Sequence, residues 1–156
     1  MGTIISINVS ESGGVPKLPL KTAIINYEGV IGDYNKFRME KKSGDPGRAV
    51  CLFSMERILQ LQKEGHPIDI GTAGENFTIE GMDWSKLEVG MTIRLGAAKI
   101  RLSEPCAPCG KIGTSFIDHS FSRIDHYKKN GWSRWSASVV EEGIVSVGDD
   151  VELIDS

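Results

Sequence analysis

Cysteine, net charge and long apolar runs are all scarce in this chain. Three cysteines, Cys51, Cys106 and Cys109, cannot close a disulfide framework, and the amino terminus MGTIISINVS lacks the basic segment and apolar stretch of an export signal. A reducing compartment with free thiols is expected, the cytoplasm by default. A net charge of -3 sets up no strong field of either sign, which argues against nucleic acid and anionic membrane surfaces as partners. No apolar run approaches the roughly 20 residues that a bilayer span requires.

What is abundant is glycine, 18 residues in 156, recurring between short β-branched runs: TIISINV, TAIINYEGV, RAVCLFS, MTIRLG, AKIRLSE, SASVV and DDVELID. This spacing predicts a mainly β chain with some α content, a small irregular closed β-barrel with a few peripheral helices. The clearest hairpin runs from Met91 to Ser103, turning at Gly96-Ala97-Ala98, and its second strand leads to the cysteine segment. A helix is predicted over SMERILQLQKEG, capped by Ser54, with Met55, Ile58 and Leu59 on one face and Gly65 past its end. A shorter helix is predicted near SFSRIDHYKKNG, and a loop over Lys41 to Arg48. With no repeat or composition break, residues 1–156 read as one domain.

The segment RLSEPCAPCGKIG carries the chemistry. Cys106 and Cys109 have C-x-x-C spacing, but the alternating strand-helix context of a thioredoxin-type couple is missing. Structural zinc would need four ligands, and the remaining Cys51, His66, His119 and His126 have no matching spacing. Cys51, inside AVCLF, reads as a small core residue. Cys109 reads as a candidate reactive thiol: Pro108 fixes its approach, Gly110 leaves an amide open to a ligand, and Lys111 would favour the thiolate.

Other stretches join this one in a pattern: GGVPKLP, EGVIGD, RAVCLFSMERI, GTAGENFTIEGMDWSKLEVG, EPCAPCGKI and EEGIVSVGDDVEL. Together they resemble the stand-alone bacterial MOSC domains, named for the carboxy-terminal domain of molybdenum cofactor sulfurase. The likeness runs from Ile4 to Leu153, and Gly74-Glu75-Asn76 followed by Pro108-Cys109 is its most specific part. It implies a β-barrel in which Cys109 is the single reactive cysteine. Cys106 falls where many relatives carry arginine, which leaves open a resolving thiol, a second sulfur acceptor or no role. Where relatives have His-Gly-Gly, this chain has Gly44-Asp45-Pro46-Gly47, so Arg48 is the group left to contact an anion there.

The resemblance implies two activities. In one, Cys109 ligates molybdenum of a pterin cofactor, and the protein reduces N-hydroxylated small molecules with electrons from a separate partner protein. In the other, Cys109 accepts persulfide sulfur from a cysteine desulfurase, the pyridoxal phosphate being held by that partner, for metal-sulfur centre assembly. A third reading is a non-enzymatic anion-binding module. Glu75 and Asn76 are candidates for positioning a ligand or the cysteine loop, Lys17, Arg48, Arg123 and Arg134 for phosphate or carboxylate contacts, and Asp33 for accepting hydrogen bonds. Trp132 and Trp135 are candidate pocket walls, and the histidines are assigned no catalytic role.

Overall fold

The computed structural model describes residues 1–34 and 45–155. Strand β1 (Gly2–Val9) turns Ile4, Ile7 and Val9 inward, with a register shift between Ile4 and Ser6 that changes which side chains face the core. Along its outer edge lies the short β2 (Leu18–Leu20), and β3 (Thr22–Asn26) and β4 (Gly29–Val30) leave for a small separate sheet. The remaining strands are β5 (Val50–Ser54), β6 (Phe77–Glu80), β7 (Thr92–Leu95), β8 (Ala98–Cys106), β9 (Arg134–Glu141), β10 (Gly143–Ser146) and β11 (Asp150–Asp155). In space the order β1, β11, β7, β8, β9, β5, β6 returns to β1, closing a seven-stranded barrel; β10 joins β3 and β4 in the small sheet. The architecture is the mainly β closed barrel that the glycine and β-branched spacing predicts.

All barrel pairings are antiparallel except β5 with β6. A parallel pair needs a crossover, and helix α1 (Met55–Lys63) with the loop after it supplies one. Ser54 caps α1 by accepting from the Arg57 amide at 3.2 Å, and Gly65 takes the left-handed conformation past its end (φ +96°). The buried pair on α1 is Ile58 and Leu61, three apart and so on one face, whereas Leu59 is half exposed. The second expected helix is only a 3₁₀ turn at Phe121–Ile124. Of the expected loop over Lys41 to Arg48, residues 41–44 lie outside the described residues, and Pro46–Arg48 form a 3₁₀ turn capped by Asp45.

Strand β5 explains why there are two cores. Its successive residues face opposite ways, so Leu52 joins the barrel interior with Ile4, Phe77, Ile93, Ile100 and Trp135, while Phe53 faces out. That outer face would be wet without a cover. Ile58 and Leu61 of α1, with Ile112, Phe116, Ile124 and Trp132 from the segment between β8 and β9, close over it. The long β8–β9 connection is thus anchored as a second layer, and the cysteines lie where β8 enters it.

Phe77 is fully buried on the parallel pair. Phe77→Ala is expected to cost about 3–5 kcal/mol of stability, read as a fall in the urea midpoint at unchanged slope.

Candidate functional site

Strand β9 lies between β8 and β5, and its register builds the thiol cluster. Cys51 of β5 pairs with Ser136 on one side, and Cys106, the last residue of β8, pairs with Arg134 on the other. A register shift between Leu102 and Glu104 turns the end of β8, held by Ser103, whose hydroxyl donates to the carbonyls of Gly47 and Ser136. Cys106 Sγ then lies 3.8 Å from Cys51 Sγ and 2.8 Å from Ser136 Oγ. Cys51 is buried, Cys106 is partly exposed, and Cys109 is exposed. The Cβ position of Gly110, next to Cys109, has no atom within 4 Å, so the turn beside that exposed thiol is uncrowded.

Arg134 is the cation of this cluster. It donates to the carbonyls of Ala73 at 2.9 Å and Ala107 at 3.3 Å, while its buried Nε has no partner among the described residues. Burial opposes its charge, but the nearby sulfurs of Cys106, Cys51 and Cys109 and the Glu75 carboxyl outweigh that and raise its pKa. The two close thiols are pushed apart. Cys106 is lowered to about 6, first by the hydrogen bond from the Cys51 thiol, against burial, and further by Arg134, Ser136 and Arg48. Cys51 is raised by that same hydrogen bond and by burial, so it keeps the proton.

Beneath the thiols lies a buried polar layer that gathers four of the predicted residues. Asn76 accepts from the Cys51 amide at 2.9 Å and donates to the Asn8 carbonyl and to Asp33 Oδ2. Asp33 also accepts from Lys17 Nζ at 2.7 Å and from the Ser10 amide at 2.8 Å. Glu75 accepts from the Gly71 amide and the Thr78 hydroxyl on one oxygen, while its other, Oε1, is buried without a partner among the described residues. Burial pushes its carboxyl above the ordinary range, against those hydrogen bonds. Gly71 sits at φ +81° where a Cβ would collide with the Lys17 carbonyl, so only glycine allows this packing.

The other predicted residues divide. Arg48 lies near the cysteines and bridges Glu104 at 2.7 Å. Arg123 is set on the α1 side, forked onto Glu64 at 2.7 and 2.8 Å and stacked on Trp132. Trp132 belongs to the outer core and Trp135 to the barrel core, where His126 meets its edge. His66 Nδ1 accepts from the Ile117 amide, a structural use. No group of three or more potential metal-ligating side chains occurs among the described residues. Sequence reasoning missed the Cys51–Cys106 contact and Ser136. Their separation of 55 residues carries no local signal, and only the register of β9 joins them.

Two outcomes follow from this geometry. Alkylation of Cys106 requires its thiolate, so its rate should be nearly flat from pH 7 to 9 and fall only below pH about 6, whereas an ordinary thiol gains rate throughout that range; peptide mass spectrometry of samples labelled across pH reads this directly. Asp33→Ala should cost about 3–5 kcal/mol, because it leaves the Lys17 ammonium buried and uncompensated, and chemical denaturation measures the loss.

The model of the MOSC domain matches residues 39–152. The chain is 28% identical over 144 residues to the uncharacterized protein YflK of Bacillus subtilis strain 168, covering 90% of this chain and 63% of YflK. It is 29% identical over 119 residues to the protein YiiM of Escherichia coli K12, covering 74% of this chain and 52% of YiiM. The chain thus spans less than two thirds of either curated relative. Among solved structures, YuaD of Bacillus subtilis superposes with a TM-score of 0.76 at 20% identity, over 97% of this chain and 94% of YuaD. YiiM of Escherichia coli superposes with a TM-score of 0.73 at 23% identity, over 100% of this chain and 71% of that structure. These structures share the fold, and the matched domain, with its barrel and its Gly-Glu-Asn and Pro-Cys segments in place, shows that the chain belongs to the MOSC domain family.

Proposed function

We propose that the protein binds molybdenum cofactor through the Cys109 thiolate and reduces N-hydroxylated small molecules, with electrons from a separate partner protein. The observation that carries this reading is one exposed thiol on an open turn, beside an arginine that hydrogen-bonds two carbonyls and enters no ion pair among the described residues. These residues fit the group: a thiolate is a soft ligand suited to molybdenum, and Arg134 Nε, which has no partner among the described residues, offers a donor to an anionic cofactor. When bound, the pterin-held metal supplies the two-electron reduction that releases the N-hydroxyl oxygen as water. The protein's part is to hold and orient. Cys109 ligates, Arg134 provides positive potential, and Glu75 and Asn76 shape the floor from beneath, since both are buried and engaged inside the fold.

A sulfur-carrier reading draws support from three thiols gathered around one guanidinium. Here Cys109 accepts sulfur as a persulfide from a cysteine desulfurase that carries its own pyridoxal phosphate, and the arginine stabilises the persulfide anion. A cytoplasmic setting suits both readings, as both need reduced thiols.

Elemental analysis for molybdenum, with pterin fluorescence, on protein made in cofactor-competent cells separates them. Metal should be retained by the native chain and by Cys106→Ala, and fall at least tenfold in Cys109→Ala. Absence of metal from all three would overturn the cofactor reading and favour persulfide transfer.

A further inference from the structure

The Cys51–Cys106 contact lies outside the role proposed for Cys109 and calls for its own account. Two thiols at 3.8 Å are as close as neighbouring ligands on one soft metal ion, yet the charge around them opposes a cation: Arg134 and Arg48 both act on Cys106, and no third metal-ligating side chain completes a set among the described residues. Positive charge beside a sulfur that accepts hydrogen bonds from Ser136 and from a second thiol favours instead a nucleophilic thiolate. Cys106 is partly exposed where β8 gives way to irregular chain, and Cys51 is buried behind it. Of these two, a small oxidant therefore reaches Cys106 before Cys51.

We propose that Cys51 and Cys106 form a peroxide-oxidised thiol pair, with Cys106 as the attacked sulfur and Cys51 as the resolving one. In the first step the Cys106 thiolate attacks hydrogen peroxide. The S–O bond forms, the O–O bond breaks, sulfur loses two electrons, and the departing hydroxide is protonated to water. In the second step the Cys51 sulfur attacks the Cys106 sulfenic acid. The S–S bond forms, the S–O bond breaks, and the leaving hydroxide takes the Cys51 proton as water. The first step prepares the second, because it removes the negative charge on Cys106 that holds the proton on Cys51. The sulfurs must close from 3.8 Å to about 2.05 Å, and because β9 lies between their strands the backbone where β8 ends must move inward for the bond to form. A thiol reductant of the dithiol class reverses the change.

This pair does not rest on the cofactor reading, and the test keeps the two apart. The reduced 156-residue chain is treated with a few equivalents of hydrogen peroxide, blocked with N-ethylmaleimide and mapped by non-reducing peptide mass spectrometry. The expected result is a Cys51–Cys106 disulfide, with three free thiols falling to one and Cys109 carrying the maleimide. The link should persist in Cys109→Ala, whatever that variant does to metal content. Cys51→Ser should stop at the sulfenic acid, trapped by dimedone on Cys106. Oxidation confined to Cys109, with Cys51 and Cys106 both blocked by maleimide, would overturn the proposal, as would a Cys106 sulfenic acid that persists in the native chain beside a free Cys51. The native chain alone decides the question should Cys51→Ser fail to fold.

Discussion

The side-chain amide of Asn76 is the constraint on which the site depends. Its backbone N–H donates to the Cys51 carbonyl and its carbonyl accepts from the Asn8 amide, while its side chain reaches the Cys51 amide, the Asn8 carbonyl and Asp33. One buried residue thus ties β1, β5 and the segment bearing Asp33 at the point where β6 begins. An amide has both a donor and an acceptor end, and here both ends are used. A carboxylate could not donate to Asn8, and an apolar side chain would leave the Cys51 amide without its partner in a buried setting. The depth of Cys51, and with it the contact to Cys106, is set from below.

Above that floor the cations divide by what neutralises them. Lys17 is bound to Asp33, Arg123 to Glu64, and Arg48 bridges Glu104. Arg134 hydrogen-bonds two neutral carbonyls and enters no ion pair among the described residues, so its field is available to the sulfurs. Local hydrogen bonding fixes its position without consuming its charge. The result is an electropositive cluster in a chain whose overall charge is slightly negative.

Much of this was legible in the sequence. Alternation located β1, β7, β8 and β11, and Ser54 and Gly65 marked both ends of α1, because period-two alternation and capping are local signals. Short strands escaped: β2 has three residues, and β6 hid inside the Gly-Glu-Asn segment, where its four residues are defined by partners far along the chain. The likeness of Gly74-Glu75-Asn76 and Pro108-Cys109 to a family motif picked out residues that the fold gathers around the thiol cluster. It did not reveal that Asn76, Asp33 and Lys17 are one network. Nor did AVCLF reveal that Cys51 touches another thiol, since a small apolar neighbourhood looks the same from the sequence whether or not a sulfur waits two strands away. Long-range register decides such things, and a single chain does not encode it locally.

A single guanidinium serving three sulfurs has a thermodynamic corollary. Negative charge placed at any one of them raises the cost of placing it at the other two, because like charges gathered around one guanidinium repel one another. Occupation of Cys109 by an anionic ligand and ionisation of Cys106 are therefore antagonistic, and by linkage the antagonism is equal in both directions. The barrel holds its three thiols within the field of one shared guanidinium, so a charge placed on one of them is felt by the other two through space.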